Sequence, residues 1–107
     1  MAAPLGEFEV LVLLAVLHLG DEAYPPAVRN EIERRARRDV ARGAVYVTLD
    51  RLETKGLLVS RPAERAGAGV RPRRAYRAAP KGLRAVRRAL AAVERMRVGL
   101  EPLLNEP

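Results

Sequence analysis

The sequence predicts a mainly α-helical domain with one small β-hairpin and a separate C-terminal helix. Three observations carry this expectation. Apolar residues recur at helical spacing in four segments punctuated by glycine or proline. Two short stretches, Leu57–Arg61 and Arg73–Ala78, flank the Pro/Gly/charge-rich residues 62–72 as the arms of a hairpin would. The whole is 107 residues with 49% hydrophobic and 31% charged side chains, an ordinary globular balance with room for one domain.

The first helix spans Leu5 to Leu19. Leu5, Phe8, Val12, Ala15 and Leu19 follow the helical period, while Leu11, Leu14 and Leu17 fill other faces. A helix apolar nearly all round is covered on more than one side. Either it is the central helix of the chain's own core, or its second side meets another copy. Gly20 ends it as a left-handed cap residue would. Pro25 and Pro26 open the second helix, where missing N–H groups do no harm. Val28, Ile32 and Ala36 give it a narrow apolar stripe, and its many Arg and Glu residues take the wet faces. The third helix runs from about Arg42 to Lys55, with Val45, Leu49 and Leu52 inward and Gly56 as its stop. In the hairpin, Val59 and Tyr76 are the expected inward residues. Pro80 begins the last helix. Its apolar seam of Leu83, Val86, Leu90, Val93, Leu100 and Leu104 is interrupted only by Arg97 and approaches three heptads. That seam fits a coiled-coil-like pair, packing against the first helix, or both. Pairing would help offset the ordering cost of ~1.5 kcal/mol per residue that a thin core meets.

Composition removes several chemistries. With no Cys there is no disulfide, thiolate metal site or cysteine nucleophile. His18 is the single histidine, so a His-rich metal site is excluded and His18 is read as structural. The aromatics are Phe8, Tyr24, Tyr46 and Tyr76, with no Trp, so the core is aliphatic; Tyr24 and Tyr76 are read as packing residues. No paired carboxylates or Ser-His-Asp set can be assembled, and Gly67 and Gly69 lack the context of a phosphate loop. An enzyme is not expected, nor is any cofactor or metal. The longest apolar run, Val10–Leu17, is far too short to span a bilayer, and no basic leader opens the sequence. The chain is expected to be soluble and cytoplasmic, associated with the nucleoid.

The charge is localised. Residues 1–28 hold four acids and no Lys or Arg, residues 29–77 hold fourteen basic and six acidic side chains, and residues 78–107 hold six and three. A middle section at +8 is the footprint of a polyanion-binding surface. Three helices, a hairpin and a helix is the winged helix-turn-helix order, in which the third helix enters the major groove and the hairpin reaches the backbone or minor groove. Arg42 sits at the start of the third helix with Arg37 and Arg38 just before it. Cations there oppose the helix dipole, a local cost that a bound phosphate reverses. Gly43 leaves the first turn open to close approach. The plainer reading of these arginines is a solvated cluster.

The residues also carry a family resemblance. Leu5-Gly6-Glu7-Phe8-Glu9, the run Gly43-Ala44-Val45-Tyr46-Val47-Thr48-Leu49-Asp50-Arg51-Leu52-Glu53, Lys55-Gly56-Leu57, the return Arg73-Arg74-Ala75-Tyr76-Arg77 and Pro80-Lys81-Gly82 resemble the PadR family of transcriptional regulators over roughly residues 5–100. The resemblance implies a winged-helix homodimer that binds operator DNA, usually as a repressor, and pairs through the C-terminal helix. It also implies release by a small-molecule effector or stress signal in many members. The shortness of the C-terminal part is similar to the compact subgroup with a single dimerisation helix. Binding of flat drugs between aromatic side chains, known in that subgroup, is not expected without Trp. The chain departs from the family pattern at Pro25, Ala41 and Ala79, and each lost cap costs ~1 kcal/mol unless a neighbour such as Asp39 substitutes.

The expected organisation is a winged helix-turn-helix domain over residues 1–79 and a dimerisation helix over 80–107. Arg42, Tyr46 and Arg51 are the first choices for contact with double-stranded DNA, joined by Arg37, Arg38 and Gly43 and by the hairpin residues Arg61, Arg65, Arg71, Arg73 and Arg74. Lys55 is either a phosphate contact or a favourable charge at the helix C-terminus. Tyr46 is either a DNA contact or a half-buried packing residue. Asp50 is expected to pair with Arg51, Arg34 or Arg35 rather than face phosphate. The expected dimer interface comprises Leu5, Phe8, Leu11, Val12, Leu83, Val86, Leu90, Val93, Leu100 and Leu104. The other function class is a winged-helix adaptor that binds a protein without reading DNA. RNA binding is weaker, because the aromatics are too few for base stacking.

Overall fold

The structure is a computed structural model that describes residues 4–63 and 73–105, the side chain of Arg73 excepted. Helix α1, Glu7–Leu19, begins at Gly6, whose extended backbone offers its N–H to Glu9 Oε1 at 2.9 Å. Glu7 and Glu9 place negative charge where the helix dipole favours it. Val12, Leu13, Ala15 and Val16 are sealed in the core, and α1 touches the next two helices, the hairpin and the long helix after it. The apolar girth of α1 is therefore explained largely within one protomer. Val12 is fully buried there and presents no surface to a second chain, which corrects its assignment to the dimer interface. His18 is exposed rather than packed. Gly20 turns the chain with φ +57, into a single 3-10 turn, Gly20–Glu22.

Helix α2, Pro25–Ala36, starts on its two prolines, as the sequence predicts, and buries Val28 and Ile32. Ala36 is exposed; the core position after Ile32 is taken by Val40 from the following turn. Two hydrogen bonds hold that turn: Arg29 Nε donates to the Val40 carbonyl at 2.7 Å, and the Val40 N–H donates to Glu33 Oε2 at 2.9 Å. Helix α3, Arg42–Thr54, buries Val45, Thr48, Leu49 and Leu52. No side chain caps its N-terminal Ala41, so Asp39 does not substitute for the missing cap.

Strands β1, Leu58–Ala63, and β2, Arg73–Ala78, form an antiparallel pair in which Leu58 faces Ala78 and Ser60 faces Tyr76. The expected start of β1 at Leu57 moves on by one residue, because the Leu57 N–H closes the end of α3 on the Leu52 carbonyl at 2.9 Å. Of the two residues expected inward, Tyr76 is inward and Val59 is not, because the register sets Ser60 rather than Val59 opposite Tyr76. Leu58 and Tyr76 share the buried face, while Val59 is 41% exposed. The Tyr76 N–H donates to the Ala23 carbonyl at 3.0 Å and ties the hairpin to the link between the 3-10 turn and α2.

Helix α4, Pro80–Arg97, crosses Leu57 so closely that a Cβ on Gly82 would stand 2.0 Å from the Leu57 carbonyl oxygen. Val86 is 2% exposed and belongs to the protomer core, so it too is corrected as an interface residue. Beyond it, Leu90, Val93 and Met96 are exposed. The helix stops at Arg97; Gly99, at φ +93, precedes a short α5, Glu101–Leu104. Leu100 and Leu104 are exposed but lie beyond the break, and do not continue the heptad on one helix.

Candidate nucleic-acid interface

The outer face of α3 is built by elimination. Once Val45, Thr48, Leu49 and Leu52 turn inward, helical geometry puts Arg42, Gly43, Tyr46, Val47, Asp50, Arg51 and Thr54 outside, and all are exposed. A Cβ on Gly43 would meet nothing within 4 Å, so the first turn is open. Its N–H groups have no side-chain cap and suit an anion. Between the starts of α2 and α3 lies an open depression of about 370 Å³, walled by Pro25, Pro26, Arg29, Asn30, Arg42, Val45 and Tyr46. Tyr46 thus lines this depression and is 45% exposed.

The expected DNA residues divide by what they already hold. Arg37, Arg42, Arg51, Arg61 and Arg74 make no hydrogen bond or ion pair through their side chains among the described residues. Arg37 adopts the left-handed conformation, φ +56, where α2 ends. Arg38, by contrast, donates to Glu7 Oε1 at 3.0 Å and lies over the Phe8 ring, 5.6 Å from its centroid. Lys55 donates to Glu9 Oε2 at 2.8 Å and so links α3 to α1. Burial pushes the Glu9 carboxyl up, but hydrogen bonds from Lys55 and Gly6, with the charges of Lys55 and Arg51, bring it below its ordinary value of 4.5. Arg34 and Arg35 both pair with Glu31, whose carboxyl is lowered chiefly by the hydrogen bond from Arg35 against the opposing effect of burial.

Asp50 corrects another expectation: it pairs with none of Arg34, Arg35 and Arg51. Its charge is felt at the hairpin instead. Burial first, then the charges of Asp50 and Glu53, push the Tyr76 phenol up. Glu53 accepts a 2.6 Å hydrogen bond from Ser60 Oγ and braces β1 on α3.

In the hairpin the register puts Arg61 and Arg77 on the face opposite Tyr76, with Arg74 on the Tyr76 face nearer the tip. Arg65 and Arg71 lie outside the described residues, as does the side chain of Arg73. Arg77 and Val47, both exposed, were not among the expected DNA contacts. The signal for Val47 was its place one turn after Gly43 and one before Arg51.

Three helices, an antiparallel wing and a further helix, with an open α3 face, define a winged helix-turn-helix protein. Residues 13–88 match the Transcriptional regulator PadR-like family, and the chain belongs to that family. It is similar in structure to a PadR-like transcription factor from Bacteroides fragilis, with TM-score 0.70 and 24% identity over 90% of this chain and 88% of the other. A PadR family transcriptional regulator from Eggerthella lenta gives TM-score 0.68 and 29% identity over 94% and 88%. The PcaV transcriptional regulator from Streptomyces coelicolor, solved with its natural ligand, gives TM-score 0.70 and 25% identity over 95% of this chain and 65% of that one. None of the curated protein sequences compared matches the chain. Among the described residues no helix is long and apolar enough to cross a membrane.

Proposed function

We propose that the protein is a homodimeric repressor that binds double-stranded DNA sequence-specifically in the cytoplasm. Residues 1–79 are the reading unit and residues 80–107 the pairing unit. The observation that carries this is the split among cations. Arg29, Arg34 and Arg35 on the body of α2 pair with Glu33 and Glu31, whereas among the described residues Arg42 and Arg51 on α3 and Arg61 and Arg74 on the wing are unpaired. Unpaired arginines around an uncapped helix start and an open glycine suit phosphates and base edges. Pairing is supported by the exposed apolar run Leu90, Val93 and Met96 on an otherwise polar stretch of α4. Two reading helices related by a two-fold axis read an inverted repeat with half-sites about one helical turn apart.

The test is fluorescence polarisation on duplex DNA from the region upstream of the protein's own coding sequence. The parent protein binds it in preference to random duplex, with affinity falling on a log–log salt slope of roughly −0.9 per phosphate contact. Arg42→Ala combined with Tyr46→Ala removes the preference while the circular dichroism spectrum is retained. Undiminished preference in that variant rules out α3 as the reader. Indifference to all duplex DNA at low salt favours a protein-binding adaptor.

A further inference from the structure

Resting on the DNA-reading function proposed above, we infer that Val47 reads the 5-methyl group of a thymine in the major groove and is a specificity determinant of this chain. Val47 is 55% exposed at the middle of α3 and takes no part in the buried core. Two ordinary rules are broken there at once. Valine is a poor helix former, and an apolar side chain in solvent gains nothing from folding. Departures of that kind, with no gain inside the protein, mark contact with something else.

The neighbourhood says what that contact is. The turn before Val47 carries Gly43 and Ala44, both exposed and small, so the helix backbone can come close to what it faces. Arg42 lies a further step toward the N-terminus and Arg51 one turn toward the C-terminus, both unpaired among the described residues. An apolar spot framed by two phosphate-seeking or guanine-seeking cations points into a groove rather than at a backbone. The thymine methyl is the apolar group that the major groove displays. A protein partner fits less well, because the exposed apolar side chains here, Ala44, Tyr46 and Val47, are few and lie between cations that are unpaired among the described residues.

The experiment uses the full-length protein. A duplex site is first selected from a random library, then resynthesised with each thymine in turn replaced by 2′-deoxyuridine, which lacks only the methyl group. Polarisation titrations on these duplexes are run with the parent, Val47→Ala and Val47→Ser. Val47 is exposed, so both variants fold. The expected result is one thymine per half-site whose replacement weakens the parent about fourfold, or about fifteenfold when both half-sites are changed. Both variants then bind the thymine and uracil forms equally. The inference is overturned by a selected site in which no uracil replacement matters. It is equally overturned by a variant that keeps the parent's discrimination, since DNA flexibility and not Val47 would then sense the methyl. A library that yields no consensus removes the DNA-reading function itself, and this inference with it.

Discussion

The two halves of α4 carry the same apolar spacing and meet opposite fates. Val86 is 2% exposed against α1 and the hairpin, whereas Val93, seven residues on and on the same face, is 66% exposed. Nothing in the local pattern separates them. What differs is that the first half lies over the Leu57 turn and the second runs past the end of the protomer core. The same division runs through the charges of α3. Lys55 is tied to Glu9 across 46 residues, while Arg51, one turn earlier, makes no ion pair among the described residues. Periodicity thus reports that a side chain has a partner face, not which chain supplies it.

The sharpest way to break this comparison is at the crossing point. Gly82→Ala puts a Cβ into the Leu57 carbonyl, a backbone atom that cannot move aside without displacing the wing. The expected loss is about 3 kcal/mol, or a fall in Tm of roughly 15 °C by calorimetry. A variant that melts with the parent means that α4 does not cross Leu57 as described.

Next comes the contrast along the seam. Val86→Ala is expected to destabilise by about 2 kcal/mol, from lost burial and the cavity left behind. Val93→Asp should leave each protomer folded and halve the mass measured by light scattering, because a charge placed in a closed apolar interface is left unpaired. An unchanged mass, or a monomeric parent, removes the dimer through α4.

The charge division gives smaller effects. Lys55→Met leaves the Glu9 carboxylate with the Gly6 N–H alone, at an expected cost of about 1 kcal/mol after solvent screening. Its affinity for duplex DNA is expected to match the parent's, whereas Arg51→Met weakens binding. Equal weakening in both would restore Lys55 as a phosphate contact. The smallest effect is in acid. The Glu9 carboxyl is depressed in the fold, so its contribution to stability is present above the ordinary value of 4.5 and disappears as pH falls through the lower folded value. Denaturant titrations of the parent and Glu9→Gln should differ at neutral pH and converge under acid conditions; a constant gap would mean that Glu9 does not titrate with folding.

Much of the candidate site was legible before any tertiary information. The exposed face of α3 follows from Val45, Leu49 and Leu52 pointing inward, and Pro25, Pro80, Gly20 and Gly56 mark element ends by backbone chemistry alone. The ion pairs of Arg38 and Lys55 were not legible because their partners, Glu7 and Glu9, sit in the acidic first segment, far away in sequence. Val40 was missed because it follows the helix end and belongs to no periodic stripe. Val59 was turned the wrong way because a strand's facing hangs on a single residue of register.

By itself the sequence determined the order of helices and strands, the apolar stripes and the concentration of cations around α3 and the wing. These depend on interactions a few residues long, which helical and strand periods encode locally. Only the tertiary structure decided which arginines stay unpaired, which half of α4 is sealed and which face of the hairpin is wet. Each of those outcomes depends on groups brought together from distant parts of the chain, and burial and ion pairing are properties of that meeting rather than of either partner.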